Sequence, residues 1–367
     1  MHPRAGGAER YTVLALRGLV GRGVRVSWLV PEVLGLPARA ALDGIAIVRA
    51  GRGAGHLVKA AAYLRRHAAE IDLVIDQVNG YPMFTQLAYR GPRLVLVHQL
   101  ARGVWFQHLP WPAAAVGWAL EPVLLAATAR SPAVTVSNDT AEDLRRLGFR
   151  DVTVVPNAIE APPGLQRPTG DRTARVPPTA PAFVALGRLV PGKRFEHVLD
   201  AFGAVRAQLP DATLTVVGRG EGRYVQRLRC RCDATPGVTL LANADEAVKW
   251  RALASATALV ATSVREGWGL MISEAHAVGT PTVAYDVPGL RESTRHGSDG
   301  LVVPPRPAAA AEAMLLLAED PALWTRMSCA AALRAAELSP RRLEAAFADR
   351  VEALLGREVS EAGSPRP

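Results

Sequence analysis

"SVREGWGLMISEAHAVGTP", residues 263–281, packs a glutamate, two glycines and a tryptophan into one short stretch and then sets a second glutamate at E-x7-E spacing, Glu266 and Glu274. The run before it, "ATALVATS" (256–263), is apolar and ends in Ser263, which reads as a buried strand. "GLMISEAHAVG" then repeats its apolar residues at helical spacing and stops at Gly279. The motif therefore stands on a strand-to-helix turn, where open α/β sheets place their ligands. Glu266 in the loop and Glu274 about two helical turns on can face one side, with the N–H groups of Gly267, Trp268, Gly269 and Leu270 between them. Two carboxylates beside a helix N-terminus suit a molecule with hydroxyls at both ends and an anion in the middle, as in a sugar nucleotide. Glutamates that cap the helix or pair with arginine are the structural alternative.

Upstream, "LGRLVPGKRFEHVLDAF" (186–202) ends a strand at Gly187 and Arg188, turns through Pro191 and Gly192, and starts a helix after Lys193 and Arg194. Glycine lets a backbone approach a ligand, and a guanidinium beside an ammonium suits a diphosphate. An ordinary strand–turn–helix with surface charges would look the same. "VVGRGEG" (216–222) is a second glycine turn after a strand, with Gly218 at its head, but it lacks the dinucleotide-binding spacing. "HPRAGGAER" (2–10) leads through Gly6 and Gly7 into a helix whose free N–H groups would attract phosphate, unless the glycines serve only the turn.

Alternation of strand and helix runs through both halves of the chain. "VRVSWLV" (24–30), "DLVID" (72–76), "RLVLVH" (93–98), "AVTVS" (133–137) and "DVTVVPNAI" (151–159) read as strands, with an amphipathic helix at 56–69. Residues 161–181 are rich in Pro, Gly and Arg without periodicity, which is a linker composition. The alternation then resumes in "AFVALGRL", "ATLTVVGRG", "GVTLLA", "ATALVATS", "PTVAYD" and "GLVVP". The expected organisation is a Rossmann-like domain at 1–160, the linker at 161–181, and a second Rossmann-like domain at 182–339. A charged helix at 340–355 and a disordered tail at 356–367 follow. Two such α/β domains joined by a linker would face each other across a cleft.

Bulk composition agrees. A chain of 367 residues exceeds one usual core, and 49 % hydrophobic with 21 % charged residues excludes disorder as the main state. The net charge of +9 favours anionic partners, but the 43 basic residues include only the lysines Lys59, Lys193 and Lys249, and no arginine run or aromatic-basic module signals nucleic acid. Cys230, Cys232 and Cys329 make neither a disulfide framework nor a zinc site. No signal-peptide layout and no apolar run near the roughly 20 residues of a membrane span is present, so the cytoplasm is the expected address.

In order along the chain, "GGAER", "LGRLVPGKR", "VGRGEG", "EGWGLMISEAHAVGTPTVAYDVPGLRE" and "GLVVP" resemble family 4 of the retaining glycosyltransferases, which have the GT-B fold. The resemblance covers nearly the whole chain. It implies that Glu274 hydrogen-bonds the nucleotide's ribose, that Glu266 holds hydroxyls of the transferred sugar, and that Arg188 and Lys193 neutralise the diphosphate. The backbone at Gly6 and Gly7 and at Trp268 to Leu270 would complete the cradle, and His98 would reach the donor sugar. No D-x-D occurs, so a metal-bridged diphosphate lacks its usual carboxylates and no cofactor or metal is expected. The leaving group would be stabilised by Arg188, Lys193 and helix dipoles, with front-face attack retaining the anomer.

The chain departs from the family in two places. Only "MHPRA" precedes "GGAER", where relatives have a central strand, which suggests a start codon further upstream; and "PNAIE" (156–160) has Ala158 where many relatives have glycine. On the acceptor side, Trp105, Phe106, Trp111 and Trp118 gather near His98 and His108 in sequence. Aromatic faces of this kind stack on sugars, sit at membrane interfaces or simply pack. The implied reaction is hexose transfer from a UDP- or GDP-sugar to an acceptor sugar, lipid-linked alcohol or small alcohol, with peripheral membrane contact as an option. A nucleotide-sugar epimerase, a disaccharide phosphorylase and an inactive donor-binding scaffold are the alternatives.

Overall fold

The computed structural model describes residues 6–78, 81–102, 105–108, 110–165 and 176–356. The start "MHPRA", residues 166–175 of the expected linker and residues 357–367 of the expected tail lie outside the described residues. The chain divides into two compact units, one of Met1–Arg102, Ala115–Pro156 and Pro340–Pro367, the other of Gly103–Ala114 and Asn157–Ser339.

The first unit opens with α1 (Gly7–Gly21), which buries Tyr11, Val13, Ala15, Leu16 and Leu19. A small sheet follows, formed by β1 (Ser27–Val30), β2 (Arg39–Leu42) and β3 (Ile45–Arg49) in the order β1-β3-β2, with β1 parallel and β2 antiparallel to β3. The β2–β3 hairpin is not among the expected elements. Its two-residue loop, Asp43-Gly44, has φ of 50° and 80°, and Asp-Gly is a sequence that favours two positive φ angles in a hairpin turn.

After α2 (Ala54–His67) come β4 (Val74–Val78), β5 (Arg93–Val97), α3 (Trp105–His108), α4 (Trp111–Ala126), β6 (Ala133–Thr135), α5 (Asn138–Arg146) and β7 (Val152–Val154). Strands β4-β5-β6-β7 form a four-stranded sheet, parallel throughout. Its central strands are buried almost without alternation, as expected where helices cover both faces.

The second unit alternates β8 (Ala182–Arg188), α6 (Phe195–Gln208), β9 (Thr213–Arg219), α7 (Arg223–Asp233), β10 (Val238–Ala242), α8 (Glu246–Ser255), β11 (Ala258–Ala261), α9 (Leu270–Ala277), β12 (Thr282–Tyr285), α10 (Leu290–Ser293) and β13 (Gly300–Val303), then α11 (Pro307–Glu319) and α12 (Pro321–Glu337). All six expected runs are strands. They form a parallel sheet in the order β10-β9-β8-β11-β12-β13 among the described residues. From β8 the chain builds outward to β10 on one side, then returns to pair β11 with β8 and builds outward on the other. The strand order thus reverses between β8 and β11, and this is the crevice position at which such sheets bind ligands.

The last helix, α13 (Pro340–Leu355), belongs to the first unit and packs on α1. Gly18 permits the contact, because a Cβ there would stand 2.3 Å from the Glu344 carbonyl oxygen. Arg22, which caps α1, reaches Asp349 at 2.5 Å and also pairs with Glu352, while Arg350 reaches Asp151 at 2.5 Å.

Candidate functional site

At the carboxyl end of the second unit's sheet the β8–α6 turn and the β11–α9 loop are laced together. Thr262, just beyond β11, donates its hydroxyl to the carbonyls of Lys193 (2.9 Å) and Arg194 (3.0 Å), and the Val264 N–H donates to the Gly192 carbonyl (2.9 Å). Above these bonds the Lys193 ammonium pairs with the Glu266 carboxylate. Both side chains are mostly buried, at 15 % and 17 % exposed. Gly187 makes the approach possible, since a Cβ there would lie 3.1 Å from the Lys193 Cε. Arg188 ends β8 and is exposed.

The glycines around this edge fall into two kinds. Gly218 faces Gly187 in register, and a Cβ on it would come 2.1 Å from the Gly187 carbonyl oxygen, so the backbone packing of β8 on β9 already requires glycine there. Gly269 caps α9 with φ 89°, a left-handed conformation that aims the first turn of the helix. Asn243, after β10, braces the turn behind Gly218: its amide oxygen accepts from the Gly220 N–H and its amide nitrogen donates to the Gly220 carbonyl, both at 3.2 Å.

The loop from Glu266 to Leu270 is held from below. The Glu266 N–H donates to the Pro288 carbonyl at 3.0 Å. The Trp268 ring is buried and its indole N–H donates to the Ser273 hydroxyl at 2.9 Å. Of the residues expected to form the cradle, Trp268 thus spends its side chain on packing, and only its backbone, with those of Gly267, Gly269 and Leu270, stands at the N-terminus of α9. Ser263 is buried, and its hydroxyl has no hydrogen-bond partner among the described residues.

Glu274 lies in α9 and is buried. Its Oε1 accepts from the Lys249 ammonium at 2.7 Å, and the same ammonium reaches Glu246 Oε2 at 2.6 Å. Lys249 is missing from the residues singled out in the sequence. The available signal was rarity: two of the chain's three lysines sit on the two glutamates of the E-x7-E element.

The remaining candidates belong to other places. Gly6 caps α1 and Gly7 opens it, and the Gly6 N–H donates to the Glu9 carboxylate at 2.8 Å, so one of the helix's free donors is already engaged. His98, after β5, meets the Tyr11 ring edge-on at 5.1 Å and contacts the Gln77 amide nitrogen through Nε2 at 3.1 Å. Burial lowers its pKa from 6.5 to about 4, so it is neutral, and with the Gln77 N–H as donor the ring proton sits on Nδ1. The sequence marked neither Tyr11 nor Gln77. The aromatic candidates differ in exposure: Trp105 is half-buried, Phe106 is 44 % and Trp111 74 % exposed. They fall in the segment assigned to the second unit or at its edge, whereas His98 belongs to the first.

Family models match both halves of the chain. The family model "Glycosyltransferase Family 4" matches residues 5–161 and "Glycosyl transferases group 1" matches residues 167–334. Among solved structures, sucrose-phosphate synthase from Thermosynechococcus elongatus superposes with a TM-score of 0.76 at 20 % identity, covering 96 % of this chain and 94 % of that one. Anabaena HepE in complex with UDP and glucose superposes with a TM-score of 0.69 at 18 % identity, covering 95 % and 96 %. The chain belongs to the glycosyltransferases of the group 1 and family 4 type, with the GT-B fold.

In sequence, the chain is 35 % identical over 212 residues to an exopolysaccharide phosphotransferase of Streptomyces coelicolor, a match that takes in 55 % of this chain and 21 % of that protein.

Proposed function

We propose that this chain transfers a hexose from a nucleoside-diphosphate sugar, UDP or GDP, to an acceptor hydroxyl, without a metal and with retention at the anomeric carbon. The observation that carries the reading is the Lys193–Glu266 pair, which spans the switch point between β8 and β11 beside the N-terminus of α9. Arg188, Lys193 and the α9 N-terminus supply positive charge for a diphosphate, and Glu266 and Glu274 supply acceptors for sugar and ribose hydroxyls. The family matches and the UDP bound by HepE support the same reading.

In the reaction the acceptor oxygen bonds to the anomeric carbon on the face the diphosphate leaves. The bond from that carbon to the phosphate oxygen breaks with its electron pair on the phosphate, and the acceptor proton passes to a phosphate oxygen. Arg188 and Lys193 hold the charge that develops. His98, neutral, offers its Nδ1–H as a hydrogen-bond donor to a sugar hydroxyl.

The test starts with thermal stability in UDP, GDP, ADP and TDP and their sugar conjugates, with EDTA and then with Mg²⁺. A ligand at one hundred times its Kd adds about 2.7 kcal/mol. The nucleotide that shifts the midpoint names the donor for an acceptor screen read by mass and NMR. A retained anomer formed in EDTA is the expected product; an inverted anomer, a strict Mg²⁺ requirement, or a phosphorylated acceptor of the kind the Streptomyces relative's name suggests would each overturn part of the reading.

For the acceptor we propose a sugar, lipid-linked or small alcohol reached from the cytoplasm, with peripheral contact at the inner membrane face and no nucleic acid. No helix among the described residues is long and apolar enough to cross a membrane. Helix α4, "WPAAAVGWALEPVLLA", has Glu121 as its one charged residue, and that side chain is buried against the N–H groups of Ala101 and Arg102. Trp111, Val116, Trp118, Leu120 and Val123 of the same helix are exposed. Apolar faces with tryptophan suit a headgroup boundary, and the positive chain suits anionic lipid. Co-sedimentation with vesicles containing phosphatidylglycerol, lost in Trp118→Glu, is the expected result; equal binding by both proteins would reject this contact.

A further inference from the structure

We infer that Lys249 is a positioning residue of the donor site, which holds the Glu274 carboxylate in place for the nucleotide's ribose; this rests on the reading of Glu274 given above. Lys249 stands on α8 and is 7 % exposed. Its ammonium touches Glu274 Oε1 at 2.7 Å and Glu246 Oε2 at 2.6 Å, and lies 4.8 Å from the centroid of the Trp250 ring. The cation is therefore fixed from three directions before any ligand arrives.

A buried ion pair adds little net stability over well-packed apolar side chains, so stability alone does not explain one here. Residue choice is more informative. Arginine is this chain's default cation, yet the positions facing Glu266 and Glu274 are both lysine. A guanidinium takes a carboxylate by both oxygens in a planar fork, whereas an ammonium is a compact point charge that engages one. The recorded contact is of that second kind, on Oε1. Lys249 thus anchors Glu274 through Oε1 as a compact charge and ties α8 to α9 at that carboxylate.

The experiment compares the parent protein with Lys249→Met, Lys249→Arg and Glu274→Gln by calorimetry. The probes are UDP or GDP, whichever the parent binds more tightly, its 2′,3′-dideoxy analogue, and inorganic pyrophosphate. The parent and all variants are expected to bind pyrophosphate alike, because Arg188 and Lys193 are untouched. The preference for ribose over dideoxyribose is expected to fall about tenfold in Glu274→Gln and in Lys249→Met. Lys249→Arg, which keeps the charge and guards against a folding defect in the methionine variant, is expected to lose that preference as well.

A merely structural lysine would lower all three affinities together or none. Ribose preference kept by Lys249→Arg, or by a folded Lys249→Met while Glu274→Gln loses it, overturns the inference and leaves the site reading intact. Ribose preference kept by Glu274→Gln overturns the assignment of Glu274 itself.

Discussion

Lys193 and Glu266, far apart in sequence, meet as an ion pair across the junction of β8 and β11. The pair rests on the Thr262 hydroxyl, which binds the carbonyls of both Lys193 and Arg194. Mostly buried charges of this kind depend on each other, because a lone one loses hydration without recompense.

Lys193→Ala should therefore cost about 1–3 kcal/mol of stability in urea titrations. It should also weaken nucleoside-diphosphate binding by about tenfold or more, since one charge-assisted contact is lost. Unchanged affinity would separate Lys193 from the diphosphate and leave it a structural partner of Glu266.

Gly289 supports the same loop from the other side. Its φ is 80°, and a Cβ there would stand 2.3 Å from the Glu266 carbonyl oxygen. Gly289→Ala should cost about 2 kcal/mol or more in the same titrations, from left-handed backbone strain and overpacking together. Because the displaced residue is Glu266, binding of the nucleotide sugar should fall more than binding of the bare nucleotide. Equal losses for both ligands would count against Glu266 as the sugar's partner.

Gly18 tests the attachment of the last helix. A methyl group on Gly18 meets the Glu344 backbone, which cannot swing aside as a side-chain tip could. Gly18→Ala should lift α13 from α1, lower the unfolding midpoint and cost about 1–3 kcal/mol. Phe347 of α13 packs edge-on against Tyr11 at 6.5 Å, and Tyr11 in turn touches His98. The His98 ring resonances should accordingly shift in NMR spectra of this variant, and unaltered resonances would show that the strain is absorbed locally.

Acid sensitivity follows from two histidines, His276 buried and His98 half-buried. Burial lowers His98 from 6.5 to about 4 and His276 from 6.5 to about 3. Each folded pKa lies below the unfolded one, so each contributes stability that is present above pH 6.5 and lost as pH falls through the folded value. Asp299, 3.9 Å from His276, works the other way: burial raises it from 3.8 to about 6, so its contribution is full below pH 3.8 and lost as pH rises through 6. The two histidines outweigh the one carboxyl between pH 6.5 and 5, and the melting temperature should fall over that interval. His276→Gln and His98→Gln should each flatten the slope; a slope indifferent to both substitutions would refute the assignment.

The sequence by itself determined the local elements and where the candidate site residues fall on them. The six strands of the second unit are apolar runs bounded by turn residues, and the E-x7-E element with "GRLVPGKR" carries its chemistry in the order of its residues, so both are written within single segments. The β2–β3 hairpin was also written there, in Asp43-Gly44, and went unread because the flanking runs are short. Tertiary structure alone decided which segments became neighbours. It reversed the strand order at β8 and β11, so that Lys193 met Glu266, and it brought α8 to α9, so that Lys249 met Glu274. It also turned the Trp268 ring into packing and returned α13 to α1. Periodicity and capping act over a few residues and leave their marks in the sequence locally, whereas these meetings follow from how whole strands and helices bury their apolar faces against one another.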